Sequence, residues 1–139
     1  VIDIRTLHRT RRYPLRAAQR LLETAAQGEG AQLRSVSLVF VDDRTMRELN
    51  RRYLRHDRTT DVLSFSYGTR RRLEGEIIVN LDQARRQAPT FGATYRHEVS
   101  RLIVHGLLHL AGHDDRTDAE RARMHRREDR YLQSIRRND

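Results

Sequence analysis

The sequence predicts an α+β fold: one domain with a single mixed four-stranded sheet and about five helices packed on it. Three observations lead there. The chain has 139 residues, which suits one compact domain with a two-layer core. Its apolar periodicity switches between the strand and helix patterns in the order β-α-β-α-β-β-α-α-α. One long segment, Thr94 to Ala111, is apolar around most of its circumference and reads as a central buried helix.

Each element has a local reason. Val1 to Arg5 alternates apolar and polar residues, as a short strand does. Arg9 to Tyr13 is basic and reads as a loop. A helix follows from Pro14 through Leu15, Ala18, Leu21, Leu22 and Ala25, with Pro14 near its first turn, and Gly28 and Gly30 end it. Ser35 to Val41 is β-branched and apolar, a buried strand. Asp42 and Asp43 stand at the N-cap position of a helix through Met46, Leu49 and Tyr53. After polar residues from Asp57 to Thr60, strands are expected over Asp61 to Tyr67 and Gly75 to Asn80, joined hairpin-fashion by Gly68 to Arg72. Leu81 to Gln87 forms a short helix stopped before Pro89. Thr117 to Arg136 is a last, heavily charged helix that docks through Leu132 and Ile135.

Composition narrows the function. The formal charge is +9, from 28 basic and 19 acidic residues, and every basic residue other than histidine is arginine. Arginine grips phosphate with a planar fork, so the balance favours an anionic partner, with nucleic acid the leading candidate. The absence of lysine alone would also fit a genome-wide preference for arginine. With no cysteine, a disulfide framework and a thiolate metal site are both excluded. No run of eighteen apolar residues and no signal-peptide pattern occurs, so a soluble, cytoplasmic protein with no membrane partner is expected. The first residue is Val rather than Met, which reads as a trimmed start.

The most informative segment runs from Val104 to Asp115. His105 and His109 are four residues apart, on one helix face, close enough to hold one ion. A chain reversal after Gly112 can return a third donor, either Asp115 or His113. Two imidazoles and a carboxylate suit Zn2+, although Ni2+ or Mn2+ are chemically possible, and three protein ligands leave a fourth position open for catalysis. A lone buried histidine would more often be a packed core residue; the pair followed by His113, Asp114 and Asp115 favours metal. In zinc peptidases a glutamate follows the first histidine as general base, whereas here Gly106 stands in that place, which argues against peptide hydrolysis by that route. Glu98, seven residues before His105 on roughly the same face, reads either as a residue that orients a ligand from behind or, the favoured reading, as a salt-bridge partner within the helix.

The segment His105-Gly106-Leu107-Leu108-His109-Leu110-Ala111-Gly112-His113-Asp114 strongly resembles the signature of the YbeY family. So do Leu49 to Tyr53 with Asp57 and Thr60 to Phe65, the strand Gly75 to Val79, Val39 to Asp43 upstream, and Glu120, Met124 and Glu128 downstream. The resemblance covers nearly the whole chain, 1–139, as one metallohydrolase domain. It implies a bacterial metal-dependent endoribonuclease specific for single strands. Such an enzyme would act in ribosomal RNA maturation at the 3′ end of the small-subunit RNA and in ribosome quality control. Ribosomal RNA and the small ribosomal subunit would be partners, with no DNA expected. It also implies three zinc-bound histidines, of which two map to His105 and His109. The third maps to Asp115, a departure that keeps three donors and adds negative charge to the ion. The family's Tyr before the Asp is His113 here, and Ser66 replaces a common Pro. The family's arginine after Tyr53 aligns with Leu54, leaving Arg55 next door as the candidate catalytic residue, or else one surface arginine among many. Arg70, Arg71 and Arg72 are expected to hold the RNA backbone, or else to form a solvated turn. The rival readings are another zinc-dependent hydrolase, for peptides or small phosphoesters, and a non-catalytic ribosome-binding module with a structural metal.

Overall fold

The computed structural model describes residues 1–54 and 60–138. Arg55 and Asp57 lie outside the described residues, as does the Ile135 side chain. Four strands and five α-helices follow one another: β1 (Ile2–Thr6), α1 (Leu15–Gly28), β2 (Gln32–Val41), α2 (Asp43–Leu49), β3 (Val62–Ser66), β4 (Arg72–Asn80), α3 (Leu81–Gln87), α4 (Tyr95–Leu110) and α5 (Asp118–Asn138). The predicted α+β class and the mixed four-stranded sheet are both present. Three boundaries differ from expectation by three residues or more. β2 and β4 each begin three residues earlier, because Gln32 and Arg72 pair with each other and extend the ladder. The helix expected through Tyr53 ends at Leu49 and continues as a π-helical turn, Asn50–Leu54. A single 3-10 turn, Pro89–Phe91, which the sequence pattern does not signal, precedes α4.

The sheet order is β1-β2-β4-β3. β1 pairs parallel with β2 and β2 parallel with β4, whereas β3 pairs antiparallel with β4. Chain order therefore differs from spatial order, with β4 inserted between β2 and its own hairpin partner. Strand alternation sorts the two faces. Val36, Leu38, Phe40, Ile77 and Val79 face the main core, where α1 and α4 cover the sheet and α5 packs on those two helices. Val39, Val41, Ile78, Leu63 and Phe65 face the other way and pack around Met46 and Leu49 of α2. The main core uses every apolar position of α4, and Leu102, Ile103, Leu107 and Leu108 are all buried.

Local signals start and stop the helices. Asp42 accepts a hydrogen bond from the Thr45 amide at 2.8 Å and caps α2. The Thr94 hydroxyl does the same for the His97 amide at the start of α4. α4 ends in a Schellman closure: the His113 amide donates to the Leu108 carbonyl and the Gly112 amide to that of His109, each at 3.0 Å. Gly112 has φ of +94°, a conformation costly for a residue with a side chain.

Beyond the carboxyl ends of the parallel strands lies a charged network centred on Asp82. Its carboxylate accepts from His8 at 2.7 Å, from Arg11 at 2.8 Å and from the Asp43 amide at 3.0 Å. Burial works to raise its pKa, but the bonds from Arg11, His8 and Asp43 outweigh burial and hold it down at about 2. A depressed carboxylate stabilises the fold above its unfolded pKa and loses that contribution as pH falls through the folded one. Wild type should therefore exceed Asp82→Asn in stability by on the order of 1–2 kcal/mol at neutral pH, discounting for partial exposure. Urea unfolding should show this gap closing between about pH 4 and pH 2; a gap that stays constant over that range would disprove the assignment.

Candidate metal centre

The centre is built at the C-terminal end of α4 and the turn that follows it. His105 and His109 project from one face of α4, their ring centroids 4.6 Å apart. Their Nε2 atoms are 3.0 Å from each other. Asp115 Oδ2 completes a triangle, 3.3 Å from His105 Nε2 and 3.5 Å from His109 Nε2. These three residues are the group that could hold a metal ion among the described residues. An ion with donors at 2.0–2.1 Å in tetrahedral geometry needs donor–donor edges of about 3.3 Å, and the three observed edges bracket that value. The donor set and its dimensions thus fit Zn2+, whereas Mg2+ would demand oxygen ligands in an octahedral arrangement.

Packing sets Asp115 and His113 apart. His113 Nε2 is hydrogen-bonded to Glu29 Oε1 at 2.6 Å, drawn to the C-terminal end of α1. Arg127 also donates to Glu29, at 2.8 Å, as does the Tyr131 hydroxyl. Burial tends to raise the Glu29 pKa, but Tyr131, His113 and Arg127 outweigh it and keep the carboxylate ionised. His113 is therefore a brace between α1 and the turn, and the turn presents Asp115 instead.

Behind the first histidine stands Glu128 of α5. His105 Nδ1 lies 2.6 Å from Glu128 Oε2, and Glu128 is fully buried. With Nδ1 donating its proton to a carboxylate, the Nε2 lone pair is fixed toward Asp115 and His109, the arrangement that orients metal-binding imidazoles. Burial alone would lower the His105 pKa, but the hydrogen bond and charge of Glu128, with the charge of Asp115, raise it. For His109, burial and the neighbouring His105 act together and lower it, so this imidazole is neutral at physiological pH. Arg101 secures the carboxylate from behind, donating to Glu128 at 3.3 Å and to Glu98 at 2.9 and 2.7 Å. Glu98 is thus the intrahelical salt-bridge partner that the spacing suggested, and it also accepts from Gln87 at 2.5 Å.

Gly106 explains the missing glutamate. A Cβ built there would lie 2.5 Å from Ile77 Cγ2 and 3.1 Å from Ser64 Oγ. The position between the two histidines faces the sheet, so no side chain fits and no general base can occupy it. Of the three arginines of the β3–β4 connection, one reaches this end of the molecule. Arg70 lies across Gly112, its Nε 2.9 Å from where a Cβ would be. Arg72 enters β4, and the Arg71 carbonyl accepts from Gln32 in the sheet ladder. Leu54, at the position of the family's arginine, is exposed.

Sequence reasoning assigned no role to Glu128, Arg101 or Glu29. A signal for Glu128 existed: Met124, Glu128, Tyr131 and Leu132 form the buried stripe of α5, and a carboxylate within an apolar stripe needs a partner. Arg101 and Glu29 carried no such mark.

Comparison with known proteins places this geometry in context. The family model described as Endoribonuclease YbeY matches residues 5–136. A protein named Endoribonuclease YbeY from Chlorobium luteolum is 41% identical over 131 residues, covering 93% of this chain and 96% of that protein. The one from Salinibacter ruber is 39% identical over 124 residues, covering 83% and 79%. The solution structure of TM1509 from Thermotoga maritima superposes with a TM-score of 0.70 at 26% identity, covering 97% of this chain and 89% of that one.

Proposed function

The chain belongs to the YbeY family of endoribonucleases, and from that membership we propose that it is a zinc-dependent hydrolase cutting single-stranded RNA in ribosomal RNA maturation. The observation that carries this reading is the triangle of His105, His109 and Asp115 donors, with edges of 3.0, 3.3 and 3.5 Å. Three ligands rather than four, among the described residues, support an open, catalytic site over a closed structural one. The absence of room for a glutamate at Gly106 supports phosphodiester over peptide chemistry.

Zinc bound there supplies Lewis acidity toward a phosphoryl oxygen and acidifies water near it. The chain's own residues do the rest. Glu128 holds the His105 ring and its tautomer, and Arg101 holds Glu128. His113, through Glu29, fixes the turn that aims Asp115. Arg70, exposed and without a hydrogen bond or ion pair to any described residue, supplies positive charge beside Gly112 for a non-bridging phosphate oxygen. Arg55, which lies outside the described residues, is the second candidate cation for the phosphate in this reading. The whole chain, 1–139, acts as one domain in the cytoplasm, on ribosomal RNA and at the small ribosomal subunit. No helix among the described residues is long and apolar enough to cross a membrane.

The test is cleavage of a ribosomal RNA fragment by the purified chain. Cutting should stop with a chelator, return on adding Zn2+, and be absent from a His105→Ala, His109→Ala double variant. Equal cutting by the double variant would end the proposal.

A further inference from the structure

α1 and α4 both begin at the end of the molecule away from the metal centre, and that end carries two neighbouring arginine-lined clefts. One, of about 440 Å³, is lined by Thr10, Arg11, Arg12, Arg85 and Tyr95. The other, of about 430 Å³, is lined on its polar side by Arg16, Arg20, Thr94, Arg96 and His97. The Tyr95 hydroxyl donates to the Arg12 carbonyl at 3.0 Å and Tyr13 pairs with Ser100 at 2.7 Å, so the wall between the clefts is fixed. Among the described residues no carboxylate lines either cleft. Asp82, beside the first, is already hydrogen-bonded by His8 and ion-paired with Arg11. Arg16, Arg85 and Arg96 are exposed and make no hydrogen bond or ion pair through their side chains to any described residue. The first turns of α1 and α4 add unpaired amides to the same end.

We infer that these two clefts bind the sugar-phosphate backbone of the RNA substrate beyond the cleaved bond, as a second anchoring site. The inference rests on the reading that the substrate is RNA. Tyr95 and His105 are ten residues apart on one helix, which sets the anchor about 15 Å from the metal centre. A strand held there is positioned several nucleotides away from the cut, without any base being read. A lipid surface fits less well: the large apolar residues lining the second cleft, Tyr13, Leu21 and Leu132, are buried, and Leu15 at the start of α1 is the one large apolar side chain exposed beside it among the described residues.

The experiment uses the full chain in chelator, so that no cleavage intervenes. Fluorescence anisotropy would follow a long labelled single-stranded RNA. An Arg16→Gln, Arg85→Gln, Arg96→Gln triple variant is compared with an Arg5→Gln, Arg34→Gln, Arg123→Gln control of the same net charge. The triple variant should bind the long RNA about tenfold or more weakly at low salt. Its slope of log affinity against log salt should fall by about 2, at ~0.7 for each phosphate that an arginine no longer neutralises. A triple variant that binds long RNA like the control would overturn the anchor. Anionic phospholipid vesicles that bind wild type and lose affinity for the triple variant, while its RNA affinity persists, would overturn it in favour of a membrane. Failure of the hydrolase reading looks different: long RNA bound through these arginines, and no cleavage when zinc is restored.

Discussion

Asp115→Ala should abolish stoichiometric zinc binding and lower RNA cleavage by more than about 100-fold, beyond the loss typical of residues that only support a ligand. Two imidazoles remain after the change, and two donors with no third do not hold zinc in an open site. The stability cost should be small, within about 0.5 kcal/mol, because Asp115 is half-exposed and lies on a turn rather than in the core. That separation makes the result readable: activity and metal fall together while the melting curve in chelator stays in place. Asp115→His keeps the donor count and should retain zinc. If Asp115→Ala keeps both zinc and activity, another group serves as the third ligand and the triangle of donors has no functional meaning. His113 would then have to leave Glu29, and His113→Ala would reveal it.

Glu128→Ala should have the largest combined effect on stability and zinc affinity. Glu128 is fully buried and faces His105, Arg101 and His125. Burial pushes its pKa up, but His105 and Arg101 outweigh that and keep it ionised. Removing the carboxylate strands the His105 Nδ1–H and part of the Arg101 guanidinium, at a cost of about 3–5 kcal/mol. Zinc affinity should weaken by about 10- to 100-fold as the His105 ring loses its orienting partner. Glu128→Gln separates the two roles: it offers Nδ1–H an acceptor without charge, so it should fold better than the alanine variant yet still bind zinc more weakly than wild type. Denaturant unfolding in chelator and a competition titration measure the two quantities. Unchanged zinc affinity in both variants would reduce Glu128 to a structural residue.

The elements were largely legible because their causes are local. The i, i+4 spacing of His105 and His109 alone places both rings on one face, and Gly112 alone supplies the left-handed residue that closes α4. The cap at Asp42 stands where its sequence position implied, and Thr94, read as the first residue of the central helix, is its cap. Boundaries failed where pairing decided them: Gln32 and Arg72 look polar and unremarkable, yet each extends a strand because the other is beside it. The turn after Leu49 changed helical form where the Tyr53 ring comes to rest edge-on against Phe65 of β3, 6.1 Å between centroids, a neighbour that helical periodicity does not encode. Helix and strand number survived these errors because each depends on many residues at once.

By itself the sequence determined the charge of the protein, its want of thiolate ligands, the paired imidazoles and a turn able to return a third donor. All of these follow from composition or from residues within a few positions of one another. Only the tertiary structure decided which side chain of the turn lies beside the two imidazoles, because the answer depends on Glu29, 84 residues before His113, holding that ring away. It also decided that Gly106 faces Ile77 and that Glu128, 23 residues beyond His105, stands behind it. The physical reason is range: backbone geometry fixes neighbours along the chain, whereas the partner of a buried charge is chosen by where whole helices come to rest against the sheet.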